Sequence, residues 1–94
     1  MSAKVIGLAW YQRDEWDRLR EISSDVDRLE ETWDEWRDIA EEKLRELRAR
    51  GLTVEKVVIE VERLAKWSEE AGRTIDGAAR SEYAAELLRK RHMT

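Results

Sequence analysis

Few of the residue types that do chemistry near neutral pH are present. The 94-residue chain has no cysteine and a single histidine, His92, close to its C-terminus. A thiol nucleophile, a disulfide framework and a thiolate metal site are therefore excluded. A site built from several histidines is excluded with them, and a Ser-His-Asp triad would rest on one imidazole near a frayed end, where it is expected to be inert. Close carboxylates occur at Asp25 and Asp27, Glu30 and Glu31, and Asp34 and Asp38. Acid–base catalysis needs two carboxyls in contrasting environments, at least one of them desolvated. All of these fall in a solvent-facing pattern, so they are expected to be surface. Asp25 to Glu30 also lacks the glycine and the distant glutamate of a calcium loop. No catalytic residue, metal ligand or cofactor site is assigned, and the reading leans away from an enzyme without excluding one.

Arginines and aromatic rings are the remaining candidates. Tyr11, Arg13 and Trp16 follow one apolar run, and Arg63 follows a second. Ligands of an open α/β sheet favour the carboxyl ends of its strands. That edge would carry Trp10, Tyr11, Gln12 and Arg13 from the first run and Glu60, Glu62 and Arg63 from the second. Tyr11, Arg13, Trp16 and Arg63 form the candidate ligand-binding set; the plainer alternative is that they are turn and cap residues. No glycine-rich loop follows the first run, which argues against a nucleotide. The chain has five tryptophans and no phenylalanine. Trp33 and Trp36 share a helix face, and with Asp34, Glu35 and Asp38 they form a candidate interaction surface. The alternative is that indoles supply core bulk, each N–H then needing a partner. Arg80, near Tyr83, is expected to stack or to pair with a carboxylate.

The net charge of −4 is unevenly spread. Residues 14–46 hold 14 acids and 6 bases, a net of −8, and the rest of the chain carries +4. The interleaving of Glu41 with Arg45 and Glu46 with Arg50 is that of a solvated helix face. A sharper reading is an acidic face that docks on a basic partner. Duplex nucleic-acid binding needs a concentrated basic footprint, and Arg89, Lys90 and Arg91 are a slight one.

Several elements are needed to position these residues. Val5 to Tyr11 is short, continuous, apolar and partly β-branched, the signature of a buried strand. Asp14 is placed to cap a short helix carrying Trp16, Leu19 and Ile22, ending at Ser23-Ser24-Asp25. Thr32-Trp33-Asp34-Glu35 has the form of a capping box. It opens a helix with Trp33, Trp36, Ala40, Leu44 and Leu47 along one stripe, closed by a left-handed Gly51. The segment from Val54 to Val61 is contested: five of its eight residues are β-branched, which favours a strand, yet its apolar positions also suit a helix. A helix over Glu62–Ala71 stops at Gly72, and Asp76-Gly77 opens a last one with Ala78, Ala79, Tyr83, Leu87 and Leu88 on its apolar face.

The fold class that follows is α/β: a single domain over residues 1–94, a small two-layer β-α-α-β-α-α arrangement with a short parallel sheet. The alternative is an all-α helical bundle, with one long helix over Asp14–Arg50. Two parallel strands make a poor sheet by themselves, because parallel sheets are normally wider and covered on both faces. A second copy of the chain is the nearest source of more strand, so a homodimer is expected. No apolar run reaches the roughly 18 residues of a membrane span, and the apolar opening lacks a signal peptide's cleavage site. No membrane association and a cytoplasmic location are therefore expected.

Ile6-Gly7-Leu8-Ala9-Trp10-Tyr11, Asp14-Glu15-Trp16, Thr32-Trp33-Asp34-Glu35-Trp36, Trp67 before Gly72, and Asp76-Gly77-Ala78-Ala79-Arg80 together resemble a family of small bacterial proteins without an assigned function. Relatives of that kind place proline where this chain has Glu30 and Val61. The resemblance thus implies a helix break near Leu29 and a strand ending near Glu60; it implies no activity. The function expected is that of a small non-enzymatic interaction module acting as a homodimer. The alternatives are an acidic adaptor or inhibitor for a basic or nucleic-acid-binding partner, and a small-molecule or enzymatic site at the strand ends.

Overall fold

A computed structural model describes residues 5–93. Strand β1 covers Val5–Tyr11, and helix α1 covers Trp16–Ile22 after one 3-10 turn at Arg13–Glu15. A second 3-10 turn at Val26–Arg28 leads to helix α2, Trp33–Ala49. Strand β2 is Thr53–Ile59, helix α3 is Val61–Ala71 and helix α4 is Gly77–His92. The α/β class and the parallel pairing expected from the sequence are those observed, with Val5 opposite Thr53 and Tyr11 opposite Ile59. The dense β-branched run is a strand, and the helical bundle is overturned.

Local chemistry explains where the elements stop. Gly51 at φ +84° and Gly72 at φ +66° take the left-handed conformation that a side chain would strain. Each closes its helix with paired backbone bonds. Gly51 N–H reaches Arg48 O and Leu52 N–H reaches Leu47 O; Gly72 N–H reaches Glu69 O and Arg73 N–H reaches Ser68 O. At the other ends, Thr32 Oγ1 accepts from Glu35 N–H and Asp76 Oδ1 accepts from Ala79 N–H. Thr32 also donates its hydroxyl to the Glu35 carboxylate at 2.9 Å, so the glutamate reaches back to the side chain of the cap.

Asp14 does not cap α1, contrary to expectation. It lies inside the 3-10 turn, where Glu15 N–H bonds Gln12 O, and α1 has no side-chain cap. The chain does break before α2. Leu29 is extended at φ −93° and ψ 141°. The segment is held there by side chains of α1: Trp16 donates to Glu30 O and Arg20 to Leu29 O and Glu30 O. The strand ends at Ile59, next to the position the resemblance implied.

Paired residues of a parallel ladder place their side chains on the same face. Tyr11, Val57 and Ile59 look towards α4, α3 and α1, and with Trp16, Leu19, Val61, Leu64, Tyr83, Ala84 and Leu88 they make the core. Gly7 lies on this face because α4 comes so close. A Cβ there would sit 3.1 Å from Leu88 Cδ2 and 3.2 Å from Val57 Cγ2. Helix α2 crosses the opposite face obliquely, from Trp36 against Trp10 at one end to Arg48 on the Val54 carbonyl at the other. Helices thus stand on both faces of the sheet. On the apolar face of α4, Ala84 is buried and Ala78 is exposed.

Candidate functional site

The carboxyl end of β1 gathers four of the five tryptophans. Trp36 is the hub, with ring centroids 5.1 Å from Trp10, 5.1 Å from Tyr11, 5.4 Å from Trp16 and 6.1 Å from Trp33. Tyr11 and Trp16 are both buried, and their rings lie 5.9 Å apart. Trp33 donates its indole N–H to the Tyr11 carbonyl at 2.8 Å, tying the start of α2 to the end of β1. Burial pushes the Tyr11 phenol up to about 12, against the opposing pull of Arg80. Tyr11 therefore keeps its proton at neutral pH.

Arg13 lies just outside this cluster. Its guanidinium makes two 2.8 Å hydrogen bonds to Asp34 and stacks 4.5 Å from the Trp33 ring centre, while Arg37 approaches the same indole to 5.3 Å. The Arg13 hydrogen bond holds the Asp34 carboxyl below the usual carboxylate range. Arg63 does not join the other three. It pairs with Glu60 at 2.8 Å and lines a separate cleft of about 220 Å³ with Tyr83, Leu87 and Arg91, on the side of β2 away from β1.

The candidate interaction set divides as well. Trp33 and Trp36 turn inward, Asp34 is engaged by Arg13, and Glu35 belongs to the helix cap. Asp38 lies on the outer face of α2, paired with Arg37 at 3.3 Å, beside Ile39, which is 57% exposed, and near Glu42, Lys43 and Glu46.

The polar group with the most elaborate surroundings is Arg80. It is only 8% exposed, and it forks onto Asp25 with Nη1–Oδ1 and Nη2–Oδ2 both at 2.8 Å. Nη1 also donates to Ser23 Oγ at 3.2 Å, and Gly77 N–H donates to Asp25 Oδ2 at 3.1 Å. Asp25 is therefore not the surface carboxylate its neighbours predicted. The Arg80 hydrogen bond holds it below the usual range, outweighing the effect of burial. Burial opposes the Arg80 charge, yet the bond to Asp25 raises its pKa further. An arginine one turn inside a capped helix was a visible signal, but its partner 55 residues away was not.

Two further expectations change. His92 is no frayed bystander: α4 runs as far as that residue, and Nε2 lies 2.8 Å from Glu55 Oε2. Arg45 pairs with Glu42 rather than Glu41, which turns instead to Lys56 at 3.6 Å. Glu15 has a role that local spacing does not show. Its Oε1 accepts from Val61 N–H at 3.1 Å and so begins α3, while its buried Oε2 has no hydrogen-bond partner among the described residues.

Among the described residues no group of three or more His, Asp or Glu side chains could hold a metal ion, and no helix is long and apolar enough to cross a membrane. What the site offers is a fixed aromatic cluster, a largely buried ion pair, and a cleft of about 270 Å³ running along Gly7, Leu8 and Ala9 between Trp36 and Arg80. No family model matches this chain, and no curated protein or solved structure matches it.

Proposed function

We propose that the protein is a small non-enzymatic interaction module of the cytoplasm that acts as a homodimer. The observation that carries this is a seven-residue strand, β1, paired on one side only. Residues 5–10 stay half-buried rather than buried. A strand paired on one side only presents a row of unpaired N–H and C=O groups that can pair with another chain, and a chain of this size gains much from shared burial. The arginines of the strand ends support the same reading, since Arg13 and Arg63 are each already engaged by a carboxylate. Membership of the bacterial family that the chain resembles is part of this proposal and adds no activity to it. Sedimentation velocity at micromolar concentration tests it: a dimer is expected, and a monomer throughout would overturn it.

A second reading is favoured by the outer face of α2, where exposed Ile39 is bordered by three carboxylates, Asp38, Glu42 and Glu46, against one cation, Lys43. This face would dock on a basic protein partner. Its binding would weaken steeply as salt screens the carboxylates, and binding indifferent to ionic strength would overturn it.

A further inference from the structure

The two edges of the sheet are chemically different. Arg48 donates to the Val54 carbonyl at 3.1 Å, and Arg91 donates to the Lys56 carbonyl at 3.4 Å, so side chains already engage two carbonyls of the outer edge of β2. In a parallel pair, the N–H and C=O of one residue point to one side and those of the next residue to the other. Val54, Lys56 and Val58 therefore face away from β1, and Val57 and its alternates face it. The register then directs Ile6, Leu8 and Trp10 towards β2, and Val5, Gly7, Ala9 and Tyr11 outward. An independent contact agrees, because the Tyr11 carbonyl accepts from Trp33 outside the ladder.

Gly7 and Ala9 thus present main-chain groups along the cleft that opens beside β1, and Val5 continues the same edge. No residue of β1 is charged, whereas β2 carries Glu55 and Lys56. Charged side chains are a usual means of keeping an edge strand from pairing, and β1 has none.

We propose that a second copy of this chain adds to that edge, β1 against β1 in antiparallel sense, with Gly7 on the two-fold axis. This rests on the homodimer reading and names its surface. A two-fold contact is self-complementary, and this register satisfies that condition. Gly7 faces Gly7 of the second copy, Val5 faces Ala9, and Ile6 faces Leu8 on the other side of the sheet, every pair apolar. The same operation on β2 would set Lys56 against Lys56, and like charges directly opposite are destabilising. A continuous four-stranded sheet results, with the side-chain-occupied β2 edges outermost.

Amide hydrogen exchange on the full chain, read residue by residue by NMR, tests the surface directly. The Gly7 and Ala9 amides are expected to exchange as slowly as that of Leu8 at high protein concentration. On dilution below the dissociation constant they should speed up by at least about tenfold, while Leu8 stays protected by β2. A protein that sediments as a dimer with fast Gly7 and Ala9 amides would overturn this surface and leave the homodimer standing. Protection of those amides that ignores concentration would overturn it too. A monomer at all concentrations would overturn both proposals.

Discussion

Arg80 and Asp25, 55 positions apart in the chain, meet as a forked ion pair with both hydrogen bonds at 2.8 Å. The pair fastens the start of α4 to the turn after α1, and Ser24 N–H on the Ile75 carbonyl at 2.8 Å reinforces the same junction. Its energetics follow from burial. A buried pair contributes little against an apolar replacement, but one member without the other is a charge left unsolvated.

Asp25→Ala is accordingly expected to destabilise the fold by about 3 kcal/mol, measured by urea unfolding. Adding Arg80→Met to it should restore part of that loss. Additive losses would show that the two residues are not coupled. The acid limb follows in sign: the folded-state carboxyl lies below its unfolded value. The contribution is therefore present above the unfolded pKa and disappears as pH falls through the folded one. Asp25→Asn should flatten that part of the acid unfolding curve.

Tyr11 gives the opposite limb. Its phenol stays protonated up to about 12 in the folded protein, whereas an unfolded tyrosine ionises near 10. Between those values the unfolded chain loses a proton that the folded one keeps, so stability falls as pH rises and levels off above. The loss is on the order of 2–3 kcal/mol by the pKa–energy relation. Tyr11→Phe should remove it. An unchanged alkaline transition in that variant, followed by circular dichroism, would contradict the burial of this hydroxyl.

Gly7→Ala addresses the approach of α4. The added methyl would press on Leu88 Cδ2 at 3.1 Å and Val57 Cγ2 at 3.2 Å. A cost of about 1–2 kcal/mol is expected from the overpacking, and Leu88→Ala in the same chain should relieve the crowding term. Thermal unfolding of the single and double variants is the measurement.

The elements and most of their ends were legible along the chain. The left-handed turns at Gly51 and Gly72, the caps at Thr32 and Asp76, and the β-branched density from Val54 to Ile59 all act within a few residues. They are decided by backbone sterics and local hydrogen bonds, so composition and spacing suffice to find them. Asp14 failed as a cap because a 3-10 turn satisfied the backbone by another route. Which faces meet was not legible there. Side chains far apart in sequence acquire partners only when helices are laid on the sheet. Hence Asp25 became half-buried against Arg80, Trp36 became the aromatic hub, and Arg63 was sent to the far edge from Tyr11. The contrast between an open β1 edge and an occupied β2 edge has the same origin. It depends on where Arg48 and Arg91 come to rest, a consequence of helix placement that no local pattern encodes.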